Sequence, residues 1–161
     1  MKKHILAEFM MDQKEVALPD LCIPREKSGA VFKQSKSGDI IILTGVRRSG
    51  KSTLLQQIRN DYEAADYYMN FDDERLLNFE INDFQLLYEL FIELFGTQKV
   101  LFFDEIQNIE GWERFARRLH DSGNKVYITG SNASMMSREL GTRLTGRHIQ
   151  INLFPFSFSE F

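Results

Sequence analysis

Short apolar runs alternate with amphipathic stretches along this chain, and the two patterns predict different elements. Buried-type strands are predicted at 39–43, 66–71, 99–103, 125–129 and 148–153. Between them, apolar side chains recur at helical spacing in 52–60, 82–95 and 112–119. The alternation is typical of a three-layer α/β fold, in which helices cover both faces of a mainly parallel sheet of about five strands.

Two of the predicted helices have a well-defined apolar side. The stripe in 82–95 is formed by Phe84, Leu87, Leu90, Phe91 and Leu94. Asn82 with Gln85 resembles a capping box at its start. The next helix carries Trp112, Phe115, Ala116 and Leu119 on one face, and Gly123 can end it. A short helix around 133–140 and a partly helical N-terminal lead over 1–38 complete the prediction.

Composition narrows the class of protein. The length of 161 residues suits one domain, 43% of the residues are hydrophobic, and the net charge is only -3. The single cysteine cannot form an internal disulfide, and no apolar run is long enough to span a membrane. We therefore expect a cytoplasmic protein without a membrane partner. The three histidines have no metal-ligand spacing with Cys22.

The segment Gly45–Ser52 reads GVRRSGKS and matches G-x-x-x-x-G-K-[ST], the Walker A pattern, between a strand and a helix. Such a loop turns its N–H groups toward a phosphate, with the positive end of the helix behind it. Lys51 can reach the β- and γ-phosphates, and Ser52 can bind Mg²⁺. The predicted nucleotide-binding residues are Gly45, Val46, Arg47, Arg48, Ser49, Gly50, Lys51, Ser52 and Thr53. The two arginines of the loop can contact nucleotide or a partner, or lie in solvent.

An acidic pair ends the apolar run VLFFDE, as in a Walker B strand. Asp104 is placed to serve Mg²⁺ with Ser52, and Glu105 can polarise an attacking water as a general base. The alternative is two ordinary loop acids. No N-K-x-D guanine reader occurs, which favours ATP.

The strand after it, KVYIT, ends in small polar residues. Ser131 and Asn132 are both candidates to sense the γ-phosphate, or else they cap a helix. Further on, Arg143 or Arg147 can neutralise the γ-phosphate, in cis or from a neighbouring subunit, or form a surface ion pair. The best basic patch for binding nucleic acid consists of Arg114, Arg117 and Arg118. These arginines lie opposite the apolar stripe of their helix, and a solvated helix face is the simpler interpretation.

Six pieces of the chain together resemble one family: GVRRSGKSTLL, YYMNFDDE, VLFFDEIQNIEGWE, VYITGSNASMMS, LTGR and LFPFSFSEF. They resemble the bacterial and archaeal AAA-type ATPases, additional-strand, conserved-glutamate P-loop proteins that carry a C-terminal domain of unknown function. The resemblance covers 39–161, and 1–38 matches weakly. It implies that the strand before Asn132 lies between the phosphate-loop strand and the Asp104 strand. It also implies that Lys51 and Ser52 bind phosphate and metal. By the same resemblance, Asp104 and Glu105 serve metal and water, and Arg147 is the better finger candidate. With Asn132 as the sensor candidate, the predicted catalytic residues are Lys51, Glu105, Asn132 and Arg147.

The resemblance implies ATP hydrolysis with Mg²⁺ in an ATPase domain over 39–161 of a larger protein. The apolar end LFPFSFSEF then indicates a truncation before a C-terminal domain, although a last segment folded onto this domain is the plain alternative. We expect weak activity from the fragment alone, and a homo-oligomer would be needed if Arg147 acts in trans. The alternative function is a nucleotide-binding switch or interaction module with negligible turnover, associated with nucleic acid if the basic patch is used.

Overall fold

Five parallel strands form the centre of the computed structural model, which describes residues 1–15, 37–131 and 143–154. These strands are β1 (Ile40–Gly45), β2 (Tyr68–Asn70), β3 (Val100–Asp104), β4 (Lys125–Gly130) and β5 (His148–Leu153). Their order across the sheet is β2-β3-β4-β1-β5, and every neighbouring pair is parallel. The predicted fold class is confirmed, and β4 lies between β1 and β3 as expected. All the carboxyl ends therefore meet at one edge.

Helices cover both faces of this sheet. They are α1 (Lys3–Lys14), α2 (Lys51–Asn60), α3 (Asp83–Phe95) and α4 (Trp112–Asp121), with 3-10 turns at Glu74–Leu76 and Ile106–Asn108. The apolar side of α2 packs on one face, and those of α1, α3 and α4 pack on the other. Within the described ranges, no helix is long and apolar enough to cross a membrane. The helix predicted around 133–140 lies outside them.

Alternating side chains of the strands enter the two halves of the core. In β1, Ile40 and Ile42 belong to the cluster under α1, α3 and α4, whereas Ile41 and Leu43 belong to the cluster under α2. All four are fully buried. Because both faces are covered, the strand reads as a continuous apolar run rather than an alternating one. Burying each such side chain contributes about 1.5–3 kcal/mol, so this run strongly anchors the loop that follows it.

The start of α3 differs from the predicted capping box. Asn82 already has helical backbone angles, φ −69° and ψ −18°, and its side chain makes no capping hydrogen bond. An N-cap residue needs a non-helical backbone for its side chain to accept from the free N–H groups that follow it, so that prediction is wrong. Instead, Asp83 accepts hydrogen bonds from the Glu80 N–H at 2.8 Å and from the Met1 ammonium at 2.9 Å. Leu94, at the far end of the predicted stripe, is 39% exposed.

The open edge of β2 is covered by a side chain of α1. Gln13, which is 5% exposed, accepts from the Asn70 N–H at 2.7 Å and donates to the Asn70 carbonyl at 3.2 Å. Its amide also donates to Asp73 Oδ2 at 3.0 Å. A single side chain thus satisfies the two backbone groups that a further strand would otherwise bind. Arg75 adds an ion pair to Asp12 of the same helix at 2.8 Å.

We expect Gln13→Ala to lower the free energy of unfolding by about 1–3 kcal/mol, the usual cost of leaving buried polar groups unpaired. Urea unfolding followed by circular dichroism measures the change. Gln85→Ala is the matched control, because Gln85 is exposed and its amide donates to Glu89 on the surface of α3. Equal losses in the two variants would show that Gln13 does not support the sheet edge.

Candidate functional site

An open cavity of about 450 Å³ lies at the carboxyl edge of the sheet. Three connections meet there: the loop from β1 to α2, the turn after β3 and the residue after β4. The cavity is lined by Arg47, Arg48, Gly50, Lys51, Ser52, Thr53, Asp72, Glu105 and Ser131. The structure therefore brings most of the predicted nucleotide-binding residues together with the predicted general base.

Glycines shape the loop between β1 and α2. An ideal Cβ on Gly45 would lie 2.4 Å from the Leu153 carbonyl oxygen and 2.8 Å from the Ser49 hydroxyl, so only glycine fits. Gly50 has a left-handed backbone, φ +88°, immediately before α2. Val46 is exposed, whereas Ser49 is fully buried, and its hydroxyl has no hydrogen-bond partner in the part of the chain that the structure describes. The loop curls around its own serine and leaves the start of α2 facing the cavity.

Lys51 is the buried cation of the site. Only 4% of the residue is exposed, and its ammonium donates to the carbonyls of Gly45 at 3.1 Å and Val46 at 2.9 Å. Burial lowers the pKa of Lys51, and the nearby carboxylates of Glu105 and Asp104 partly oppose that shift. The loop thus holds the ammonium inside its curve, where it can face a bound phosphate.

Asp104 and Ser52 form an oxygen pair, of which Ser52 lines the cavity and Asp104 lies buried behind it. Ser52 donates to Asp104 Oδ1 at 3.0 Å, and the Thr129 hydroxyl donates to the same oxygen. Burial raises the pKa of Asp104, while these two hydrogen bonds oppose the rise. Hydroxyl and carboxylate oxygens suit Mg²⁺, which proteins usually bind through one or two carboxylates together with substrate phosphates. Within the described ranges, no group of three or more acidic, histidine or cysteine side chains is placed to hold a metal ion.

Glu105 is held in an unusual backbone conformation. Its φ of 54° and ψ of 42° are left-handed, which costs a non-glycine residue about 1–2 kcal/mol. Its N–H donates to Thr129 Oγ1 at 2.9 Å. The carboxylate accepts from Ser131 Oγ at 2.5 Å and from Gln107 Nε2 at 2.6 Å. Such strain persists where neighbouring contacts enforce it, and here it turns the carboxylate toward the cavity.

Three residues of the site were missed by sequence reasoning. Thr129 joins Asp104 to Glu105, Gln107 fixes the Glu105 carboxylate, and Asp72 lines the cavity. Thr129 and Asp72 had a usable signal, because each is a polar residue at the end of an apolar strand whose carboxyl end was predicted to lie at this edge. Gln107 had none, since its role depends on the turn after β3.

The predicted arginine finger lies elsewhere. The Arg147 carbonyl accepts from the Ile40 N–H at 2.8 Å, which places it at the amino edge of the sheet, about 17 Å along β1 from the loop. Its guanidinium donates to Asp121 at 3.1 Å. Arg147 therefore does not reach the cavity of its own chain, and only a role in trans stays a prediction. Arg143 pairs with the buried Glu113 at 2.9 Å instead of lining the cavity. Asn132 lies outside the described residues.

Two curated relatives align with most of this chain. An uncharacterised protein of Methanocaldococcus jannaschii, MJ1544, is 37% identical over 161 residues, which cover 99% of this chain and 35% of the relative. An uncharacterised protein of Haemophilus influenzae is 39% identical over 150 residues, covering 86% of this chain and 37% of the relative. The chain thus spans about a third of the length of these relatives.

A solved structure and a family model agree with the architecture. The structure of C. elegans PCH-2 superposes with a TM-score of 0.52 at 14% identity, covering 96% of this chain and 42% of that one, which supports the fold alone. The family model AAA_14, an AAA domain, matches residues 37–161. That match spans every strand of the sheet and the whole cavity. The chain therefore belongs to this AAA domain family and has the fold of a P-loop NTPase.

Proposed function

We propose that this chain is the ATP-binding, Mg²⁺-dependent ATP-hydrolysing domain of a larger AAA-type protein. One observation carries the proposal: Ser52 lines the cavity together with Lys51 and Glu105, and its hydroxyl donates to the buried Asp104. Phosphate binding, metal binding and water activation thus have one candidate group each within a single site.

The loop supplies the binding energy for the phosphates. Its N–H groups, the start of α2 and the Lys51 ammonium all present positive charge on one side of the cavity. Ser52 and Asp104 would hold Mg²⁺, which supplies charge neutralisation to the β- and γ-phosphate oxygens when bound. The raised pKa of Asp104 reflects its burial, so a nearby dication would favour the ionised carboxylate.

Hydrolysis needs a water aligned with the γ-phosphorus and a group that takes its proton. Glu105 borders the cavity and is supported by Ser131 and Gln107. In the proposed step the water oxygen bonds to the γ-phosphorus, the bond from phosphorus to the bridging oxygen breaks, and ADP leaves. The proton passes to the Glu105 carboxylate, and inorganic phosphate is the second product.

A second function is favoured by one specific observation. Both oxygens of Glu105 already accept hydrogen bonds, from Ser131 and from Gln107. A carboxylate held in this way suits a nucleotide-dependent switch. Its turnover would stay negligible until a partner rearranges the turn after β3 and frees the Glu105 carboxylate. Measuring ATP turnover by the full-length protein, alone and with DNA or RNA, separates the two functions. Sustained release of phosphate supports the hydrolase, and tight binding without release under every condition supports the switch.

The larger protein is part of the proposal. This chain spans about a third of the length of its relatives, which supports a larger protein. We further propose that a C-terminal domain follows this one and that the protein is cytoplasmic, as expected from the sequence. Arg147 would act on a neighbouring subunit's nucleotide, since it lies at the far edge of its own sheet. The exposed arginines of α4 support nucleic-acid binding only weakly.

We expect the chain to prefer ATP over GTP, although by less than about tenfold, because no N-K-x-D segment is present to read guanine. The residues that line the described cavity belong to the loop, to the start of α2 and to the ends of neighbouring strands. We expect them to contact the phosphates rather than the base, so the preference should be weak. A competition titration against a fluorescent ATP analogue measures the ratio. A GTP affinity ten times higher than that for ATP would contradict the assignment.

A further inference from the structure

Besides Glu105, which lines the cavity, and Asp104, which bonds Ser52 behind it, Asp72 is a third carboxylate of the site, and the proposed chemistry does not use it. It follows β2, lines the cavity with Lys51, Ser52 and Glu105, and is exposed. Its neighbour Asp73 has a different environment, since Asp73 pairs with Arg75 at 2.8 Å. Only the first of these two consecutive acids therefore borders the cavity.

The backbone holds Asp72 beside the end of β3, the strand that carries Asp104. The Phe71 N–H donates to the Asp104 carbonyl at 2.8 Å, so the pairing of β2 with β3 continues to the residue before Asp72. The Asp72 N–H donates to Asn70 Oδ1 at 2.9 Å, which closes a tight turn around its backbone. The position of Asp72 at the cavity is therefore set by the sheet and by a local turn.

The other two carboxylates are already engaged. Asp104 accepts from both Ser52 and Thr129, and Glu105 accepts from Ser131 and Gln107. Within the described residues, the side chain of Asp72 accepts only from the amide of Asn108, at 3.5 Å, which is the limit of a hydrogen bond. Of the acids that border the cavity, Asp72 has the most accepting capacity left for a molecule bound there.

An attacking water has two O–H bonds, and both must point away from the phosphorus while a lone pair points toward it. One acceptor leaves the water free to rotate, whereas two acceptors fix its orientation. We propose that Asp72 is a catalytic residue that accepts the second hydrogen bond of the attacking water, while Glu105 takes the proton. The inference rests on the proposed function and names a residue of that same site. Bond making and breaking are unchanged by it, because Asp72 gains no proton.

The first test is single-turnover hydrolysis of radiolabelled ATP with excess protein. Asp72→Ala removes both accepting oxygens, whereas asparagine would keep one. The variant should bind ATP as the wild type does but hydrolyse it at least about tenfold more slowly, the loss expected for one hydrogen bond to a charged group. Glu74→Ala is the matched control, because Glu74 is exposed, lies two residues away and is absent from the cavity wall. Equal rates in the two variants would overturn the inference.

A double-mutant cycle with Glu105→Gln tests whether the two carboxylates act on one water. We expect the combined rate loss to be smaller than the product of the single losses, because residues that act as a unit are not additive. Independent, multiplicative losses would contradict a shared water. A variant whose rate returns to the wild-type value at high Mg²⁺ would also overturn the inference, since Asp72 would then act on the metal.

A binding measurement gives a readout that does not depend on turnover. Aluminium fluoride with ADP and Mg²⁺ mimics the transferring phosphoryl group with its water, so the wild type should bind ADP more tightly when it is present. Asp72→Ala should keep its affinity for ADP alone and lose at least about tenfold of that gain. An unchanged gain, or no gain in the wild type, overturns the inference. Failure of the wild type to bind any nucleotide overturns the proposed function itself.

Discussion

Replacing Glu105 by glutamine should slow ATP hydrolysis by about 10²–10⁴-fold while nucleotide affinity stays close to that of the wild type. The amide keeps the shape of the carboxylate but does not take a proton from the attacking water. Because Glu105 borders the cavity without belonging to the phosphate loop, its loss removes little binding energy. Phosphate release under single-turnover conditions and calorimetry with ATP and Mg²⁺ measure the two quantities on the same preparation.

The control for this variant is Glu110→Gln, an exposed acid on the same connection after β3 that does not line the cavity. It should hydrolyse ATP at the wild-type rate. The comparison also tests the switch alternative. If the wild type itself does not hydrolyse ATP, Glu105→Gln produces no decrease in the hydrolysis rate. A Glu105→Gln protein that retains the wild-type rate would show that water activation lies elsewhere.

Replacing Lys51 should weaken binding of ATP with Mg²⁺ by at least about tenfold, since losing a hydrogen bond to a charged group costs about 1.5–3 kcal/mol. Lys51→Met is the better variant than Lys51→Ala, because the residue is 4% exposed and methionine fills the space of the buried stem. Lys99→Met, at an exposed position outside the cavity, controls for the loss of one positive charge. Unchanged affinity in a folded Lys51 variant would refute the site.

The pH dependence of binding gives an independent check on Lys51. Burial lowers the pKa of its ammonium in the nucleotide-free protein, whereas a bound triphosphate favours the charged form. At a pH where the Lys51 amine of the nucleotide-free protein is neutral, the protein must take up a proton when the nucleotide binds. The affinity of the wild type for ATP should therefore fall as the pH rises through that lowered pKa. The fall should be absent in Lys51→Met. Calorimetry at several alkaline pH values measures it.

Local sequence was sufficient for most elements and for naming the candidate residues of the site. A continuous apolar run predicts a strand that is buried on both faces, and this needs no tertiary information. The last strand, His148–Leu153, has the predicted bounds. Lys51, Ser52, Asp104 and Glu105 could be named because their spacing to the ends of two parallel strands already specifies a common edge. The family match over 37–161 agrees with that interpretation.

Other features depended on the tertiary structure, because they join residues that are far apart in the chain. Gln13 covers the edge of a strand 57 residues away, and Thr129 reaches Asp104 from a neighbouring strand. Arg147 was a candidate finger because it is a cation that follows the polar end of β4 in the sequence. However, β5 begins at the amino edge of the sheet just after Arg147, so the guanidinium lies far from the loop. Spacing along a strand predicts which face and which end a residue occupies. Which side chains meet across the sheet follows only from strand order and from the turns that orient them.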